Sequence, residues 1–181
     1  MKKTLFILFG LVILIAIALP ILKKNTKKYS PEATLVYNND EFKFSITYCQ
    51  PSKKGRLIFG NESQSPLQVF GNYWRMGANE ATVFNAENDI KISDQLLKKG
   101  KYQLYAIPNV EKWTIAFNLE HDRWGASEPN YEKDVLRVDV PVNNEAFENE
   151  VFKISIQDDD SLKYIVLNWD KTQVNIPFSK P

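Results

Sequence analysis

Apolar and polar residues alternate with a period of two along most of the chain after residue 31. In Phe42–Tyr48, the large apolar residues fall on one face, and Lys43, Ser45 and Thr47 fall on the other. The same alternation recurs in Tyr102–Ala106, Trp113–Leu119, Leu136–Val140, Phe152–Ile156 and Ile165–Trp169. A period of two predicts β-strands. The last of these segments is apolar on both faces, which predicts a central strand.

Helical periodicity is confined to short stretches of this region. Only Ser93–Leu97 and Asn144–Glu150 are compatible with a helical turn, and Asp158–Ser161 has the composition of a turn between strands. About eight short strands separated by turn signals are typical of a sandwich or barrel. The sequence therefore predicts an all-β fold, a single antiparallel β-sandwich of jelly-roll or immunoglobulin-like type, over residues 32–178.

The N-terminus carries an apolar run, Leu5–Leu22, behind a short basic tail at residues 1–4. A helix of these 18 residues would be about 27 Å long, close to the ~30 Å hydrocarbon core of a bilayer. We expect one N-terminal transmembrane helix, followed by a basic tether at residues 23–31. The alternative is a cleaved signal peptide, because Ala16-Ile17-Ala18 has the small-x-small form of a cleavage site.

The lysines around this run bear on its orientation. Two precede it and four follow it within six residues, and this count favours a cytoplasmic location for the following domain. The short basic head before a long apolar run instead favours export. We expect a single-pass inner-membrane protein whose soluble domain faces the periplasm, with a cleaved, periplasmic form as the alternative.

Charge and composition narrow the classes of partner. Residues after position 28 include 17 basic and 22 acidic side chains, a net charge of −5, which argues against nucleic-acid binding. Cys49 and His121 are the only cysteine and histidine. An intrachain disulfide, a thiolate metal site and a multi-histidine zinc site are therefore excluded within one chain. Neither a metal nor a cofactor is predicted.

Two stretches are denser in chemically distinctive side chains than a β-fold requires. The first is the loop after Pro51, which presents Lys53, Lys54 and Arg56 around a glycine. In an acidic domain such a basic cluster is suited to an anion. The alternative interpretation is a solvated turn in which the arginine pairs with a nearby acid.

The second stretch is Trp74–Thr82, which places an aromatic ring, a guanidinium, an amide and a carboxylate within seven positions. Such a set can stack on a sugar or other planar face and form hydrogen bonds around it. Alternatively, it is a structural corner with Trp74 in the core and Arg75 bonded to Glu80. Trp124-Gly125-Ala126 is a second, shorter aromatic segment in the long loop between Leu119 and Val135, and we expect it to fold over the same site. The predicted ligand-binding residues are Arg56, Trp74, Arg75, Asn79, Glu80 and Trp124, and no catalytic residue is predicted.

Five segments of the chain resemble the motifs of one protein family. They are YCQPSKKGRLIFG, GNYWRMGANEATVF, LKKGKYQLYAIP, WTIAFN followed by WG, and NWDKTQVNIP. They resemble the DUF2911 family, a domain family of unknown function common in Bacteroidota-type bacteria. The resemblance covers nearly all of residues 31–178, and Gln50 stands where the family pattern has arginine. It implies a β-rich fold and an export signal, and it implies no activity.

Three functions remain open from the sequence. The first is a membrane-tethered ligand-binding or interaction module of the cell envelope, with a small molecule or a glycan as ligand. The second is a carboxylate-dependent hydrolase of a glycan or peptide, for which Glu80, Asp122 and Glu128 are the candidate acids. The third is a purely structural envelope protein. A binding site requires the six predicted residues to converge on one open cleft.

Overall fold

The computed structural model describes residues 9–10, 14, 16, 25–158 and 162–181. The predicted membrane span Leu5–Leu22 therefore lies mostly outside the described residues, as does most of the predicted turn Asp158–Ser161. Within the described part, the structure contains no helix whose length and apolar character would carry it across a bilayer. The membrane span and the orientation of the domain stay predictions.

The described chain is built mainly from β-strands. Short 3₁₀ turns occur at Glu62–Gln64 and Tyr131–Lys133. The strands are β1 (Glu32–Asn38), β2 (Lys43–Cys49), β3 (Phe59–Gly60), β4 (Gln68–Val69), β5 (Thr82–Ala86), β6 (Ile90–Ile92), β7 (Gln95–Leu97), β8 (Gly100–Ile107), β9 (Lys112–Asn118), β10 (Asp134–Asn143), β11 (Asn149–Asp158), β12 (Lys163–Asp170) and β13 (Thr172–Ser179).

Most of these strands form one antiparallel sheet in the order β1-β2-β5-β8-β9-β10-β13-β12-β11, with β6 and β7 attached beside β13. β3 and β4 form a separate parallel pair. The two ends of the order approach each other: the Tyr37 hydroxyl donates to the Asp158 carboxylate, and the Ile154 amide donates to the Tyr48 hydroxyl at 2.9 Å. The sheet is therefore nearly closed, and the predicted all-β class is confirmed.

The period-two pattern identified the core face of the sheet. Phe42, Phe44, Ile46 and Tyr48 are all buried, as the alternation predicts. Across the core, the Phe44 ring meets the Phe178 ring edge-on at a centroid distance of 5.4 Å. Contacts of this kind, repeated along the strands, bury the apolar surface that stabilises the fold.

The sequence prediction was wrong at Leu119 and for the helical turn at Ser93–Leu97. β9 ends at Asn118, whose side-chain oxygen accepts the Glu120 amide at 2.8 Å, so Leu119 lies in a turn and is 53% exposed. Gln95–Leu97 forms a strand rather than a helical turn, since Ser93 and Asp94 both adopt positive φ. Two such residues in succession make the tight turn of a β-hairpin.

Candidate functional site

Trp74 is the first residue of the site. Its backbone pairs with the sheet, and its ring enters the core. Its amide and carbonyl exchange hydrogen bonds with Ala106 of β8 at 2.8 and 2.9 Å. The indole is 5% exposed. It stacks on Trp169 at a centroid distance of 5.8 Å and meets Trp113 and Phe152 edge-on. The structural interpretation of this ring is therefore correct, although one part of it also borders a cavity.

The turn after Trp74 has an unusual backbone. Met76, Gly77 and Asn79 have φ values of +54°, +145° and +62°. A Cβ atom on Gly77 would lie 2.7 Å from the carbonyl oxygen of Cys49, so only glycine fits this approach to the end of β2. The Thr82 hydroxyl donates to the Met76 carbonyl at 2.7 Å, which satisfies a buried backbone acceptor and holds the turn closed.

The loop between β9 and β10 docks on this turn. The Ala81 amide donates to the Arg123 carbonyl, and the Gly125 amide donates to the Asn79 carbonyl, both at 3.0 Å. A Cβ atom on Gly125 would lie 2.5 Å from Cδ of Arg75. The absence of a side chain at Gly125 therefore lets the Arg75 stem lie against the loop backbone. The structure thus contains the predicted contact between the Trp124-Gly125-Ala126 segment and the Trp74–Thr82 stretch.

A cavity of about 320 Å³ opens beside this turn. Its lining combines aromatic, small and cationic side chains with short polar ones, and it includes residues from five separate parts of the chain. The lining residues are Ser30, Pro51, Arg56, Leu67, Gln68, Tyr73, Trp74, Arg75, Gly77, Ala78, Ala126 and Trp169. None of these described residues carries a carboxylate, so the formal charge of the wall comes from its two arginines.

The basic loop after Pro51 contributes only Arg56 to the cavity. The Lys53 ammonium binds Asp170 at 2.5 Å and Glu148 at 2.6 Å, and these hydrogen bonds raise the pKa of Lys53. Lys54 instead lies over the Tyr29 ring, 5.2 Å from its centroid. Lys53 therefore forms structural ion pairs with both acids.

The Arg56 guanidinium is oriented by backbone rather than by acids. Its Nε donates to the Lys53 carbonyl at 2.9 Å, and its Nη2 donates to the Ser52 carbonyl at 2.6 Å. Neutral carbonyl acceptors fix the position of the guanidinium without cancelling its charge. The exposed Arg56 thus presents a cation at the rim of the cavity.

Arg75 does not bond to Glu80, the partner that the structural interpretation gave it. Glu80 faces Lys27, with Oε1 at 3.4 Å from the ammonium, and accepts a long contact from the Cys49 thiol at 3.8 Å. Its backbone forms an isolated antiparallel bridge with Trp124. Glu80 therefore lies behind the turn, because the bridge to the loop directs it away from the cavity.

Asn79 is buried, and its amide donates to the Ser30 carbonyl at 3.3 Å. The six predicted site residues thus divide into two sets. Arg56, Trp74 and Arg75 line the cavity, whereas Asn79, Glu80 and Trp124 brace its wall from behind.

Burial changes the acidity of the groups around Arg75. It lowers the pKa of the Arg75 guanidinium, and the same desolvation raises the pKa values of the Tyr73 phenol and the Cys49 thiol. Tyr73 is further held by two hydrogen bonds: its hydroxyl donates to the Gly125 carbonyl at 3.1 Å and accepts from the Gln103 amide at 2.6 Å. Both Tyr73 and Cys49 are accordingly neutral at pH 7.

Sequence reasoning missed several lining residues. Tyr73 and Gln68 lie in stretches without alternation, and Trp169 was assigned only to a strand face. Ser30 falls within the predicted tether at residues 23–31, yet Lys27, Tyr29 and Ser30 contact the domain; Lys27, for example, pairs with Glu32 at 2.7 Å. The one available signal was the family-like motif around Trp74, which begins at Gly71 and includes Tyr73.

The candidate acids of a hydrolase are scattered. Glu80 pairs with Lys27, Glu128 interacts with Tyr131, and Asp122 lies in a separate shallow groove with His121. A glycosidase of the common type needs two carboxyl groups about 5–10 Å apart across a cleft. The described wall of the cavity offers no such pair.

The family to which this chain is similar covers almost the whole β-domain. Residues 30–178 match the model of a family described as "Protein of unknown function (DUF2911)". The chain belongs to the DUF2911 family. No curated protein and no solved structure matches it. The matched range covers all thirteen strands of the described residues apart from the last residue of β13. The cavity and both of its arginines therefore lie within the DUF2911 domain.

Proposed function

We propose that this DUF2911 protein is a ligand-binding module that takes a small molecule or a single sugar unit into the cavity beside Trp74. The observation that carries the proposal is the cavity itself, with its aromatic wall, two arginines and short polar groups. Its volume of about 320 Å³ is at the lower end of the range for small-molecule sites. A ligand of roughly the size of one sugar or one amino acid fits that volume.

The sequence features at the N-terminus support a location for this module. Leu5–Leu22 would anchor it in the inner membrane with the domain in the periplasm, and cleavage after Ala18 would release it there. A reporter enzyme fused after residue 181 that is active only outside the cytoplasm tests export. Comparing the mass of the purified protein with the full-length mass distinguishes retention from cleavage.

The nearly closed sheet supports a two-layer arrangement as the finer description of the fold. The Phe44–Phe178 ring contact joins β2 to β13, and the Trp74–Trp169 contact joins β12 to the segment that is bridged to β8. We expect the β1-β2-β5-β8-β9 portion and the β13-β12-β11 portion to pack as the two layers of a sandwich. An experimental structure in which these portions form a continuous round barrel would contradict this arrangement.

A thermal-shift screen tests the binding function directly. The full chain in mild detergent would be heated with glycans, peptidoglycan fragments, nucleotides and small organic acids. A ligand at 100 times its Kd stabilises a protein by about 2.7 kcal/mol, which raises the Tm measurably. Absence of any stabilising compound in a panel that includes all of these classes would count against the function.

A matched pair of variants locates the binding. Leu67 and Leu96 are 45% and 46% exposed, but only Leu67 lines the cavity. Leu67→Trp is expected to fill the mouth of the cavity and to weaken binding at least tenfold. Leu96→Trp adds the same bulk elsewhere and is expected to leave the Kd unchanged. Equal effects of the two variants would show that the ligand binds outside the cavity.

A further inference from the structure

Arg75 occupies the cavity wall in a fixed direction. It follows Trp74, whose backbone is paired to β8, and its stem lies on the loop backbone at Gly125. The positive φ values of Met76 and Gly77 then turn the chain sharply away. The side chain is therefore held between two rigid elements, so its guanidinium has little freedom to find a partner elsewhere.

The guanidinium lacks a counter-charge among the described residues. No Asp or Glu among them lies within 4.0 Å of it, whereas lysines or arginines elsewhere in the domain pair with acids. Its Nε is buried and has no hydrogen-bond partner. The titratable groups that favour its charge are Tyr73 and Cys49, and both are neutral at pH 7. Arg75 is thus a partly buried cation with an unsatisfied donor.

Leaving a buried donor unpaired costs about 1–3 kcal/mol, and more for a charged group. Most buried donors in natural domains are paired with protein groups, ordered water or a bound molecule. A carboxylate or phosphate can accept two parallel N–H bonds from one edge of a guanidinium, which combines charge with fixed geometry. Arg75 lines the cavity, so an oxyanion bound there would supply the counter-charge that the guanidinium lacks.

Arg56 adds a second positive charge at the rim. Its guanidinium is held by the carbonyls of Ser52 and Lys53, so it is already oriented before a ligand arrives. The described lining residues include no acid that would repel an anion. The two arginines therefore make the cavity electrostatically positive within a domain whose net charge is negative.

We propose that the ligand of this cavity carries a compact oxyanion, a carboxylate or a phosphate, which Arg75 binds at the wall and Arg56 attracts at the rim. This inference rests on the proposed binding function and specifies the chemistry of its ligand. The remainder of the ligand lies against the aromatic part of the wall, next to Trp74 and Trp169. The small volume favours a short organic acid or a small phosphorylated compound over a polymer.

Titration calorimetry on the full chain in mild detergent tests this chemistry. The probes are succinate, inorganic phosphate and the neutral analogue succinamide, all at one ionic strength. Binding of succinate or phosphate, at least tenfold tighter than that of succinamide, is expected. The two anions also distinguish the sources, since a preference for one identifies the ligand group as carboxylate or phosphate. Equal binding of succinamide and succinate would overturn the proposal.

Variants at Arg75 separate binding from a structural role. Arg75→Met keeps the apolar stem and removes the charge, so it is expected to weaken anion binding at least tenfold. The same variant is expected to melt, without ligand, at or above the wild-type Tm, because an uncompensated cation has been removed. Arg75→Lys keeps the charge but loses the planar fork, and we expect an intermediate Kd. Lys101→Met removes an exposed cation outside the cavity and is expected to bind as the wild type does.

Two results would overturn the role of Arg75. One is unchanged anion binding in Arg75→Met; the other is an unliganded Tm several degrees below wild type together with unchanged ligand selectivity. The proposed function has its own separate readout. If neutral compounds bind in a manner sensitive to Leu67→Trp and the anions do not, the oxyanion proposal fails while the binding function stands. If nothing binds, both fail.

Discussion

The close approach of Gly77 to the end of β2 leads to a sharp prediction about stability. At φ +145°, a Cβ on Gly77 would lie 2.7 Å from the Cys49 carbonyl oxygen and 3.5 Å from the Cys49 amide nitrogen. The first atom belongs to the backbone of a paired strand and cannot rotate away. In Gly77→Ala, therefore, the turn or the end of β2 has to move.

Two costs combine in this variant. A side chain in a positive-φ conformation costs about 1–2 kcal/mol, and forcing an extra methyl group into a packed site costs about 1–3 kcal/mol. We therefore expect Gly77→Ala to lower the free energy of unfolding by about 2–5 kcal/mol. For a domain of this size, each kcal/mol corresponds to roughly 2–4 °C in Tm. Chemical denaturation followed by tryptophan fluorescence measures the loss directly.

Gly71→Ala is the matched control. Gly71 also has a positive φ, +81°, but a Cβ there would meet nothing within 4 Å. This variant carries only the conformational cost, about 1–2 kcal/mol. The difference between the two variants isolates the contact with Cys49. If both variants lose the same stability, the close approach of Gly77 to the Cys49 carbonyl adds no steric cost, and the expected loss of about 2–5 kcal/mol is refuted.

Three further predictions concern polar groups in the fold. Thr82→Val, which leaves the buried Met76 carbonyl without its donor, should lower the free energy of unfolding by about 1–3 kcal/mol in denaturant titrations. Trp113→Phe should lower the free energy of unfolding less than Trp169→Phe does. The reason is that the buried Nε1 of Trp113 has no hydrogen-bond partner, whereas the Nε1 of Trp169 donates to the Glu150 carbonyl. A larger loss for Trp113→Phe would contradict this. Burial, and then the bond to a glutamate, raises the pKa of Tyr131 to about 12. The protonated phenol is thus favoured in the folded state. Its contribution to the free energy of unfolding is complete below pH 10 and is lost as the pH rises towards 12. Tyr131→Phe should therefore reduce the change in stability between pH 10 and pH 12.

Strand faces could be predicted from the sequence because burial on one side of a sheet imposes a period of two. The pattern failed where burial has another source. Gln103 and Tyr105 lie on the face of β8 opposite Leu104, yet both are fully buried. The loop between β9 and β10 covers that face. Arg123 from this loop contacts Gln103 at 3.5 Å, and Tyr105 donates to Asp134 at 2.7 Å. A covering loop leaves no periodic trace in the strand beneath it.

The candidate site was predictable as a stretch but not as a geometry. Local spacing made an Arg75–Glu80 bond plausible, since five residues can close a turn. The positive φ at Asn79 and the bridge between Glu80 and Trp124 instead direct the carboxylate to Lys27. Such pairing depends on the relative positions of segments far apart in the chain, and no short motif encodes it.

The turn after Trp74 combines backbone strain with an uncompensated charge, and this combination indicates its role. Two of its non-glycine residues, Met76 and Asn79, have positive φ, and it places a cation without a counter-charge beside a cavity. Strained backbone of this kind persists where the surroundings over-determine it, often at functional sites. A turn that served stability alone would gain from an acid facing Arg75, as Lys53 gains from Asp170. The fold instead directs Glu80 away from Arg75, which is the arrangement expected if the counter-charge arrives with a ligand.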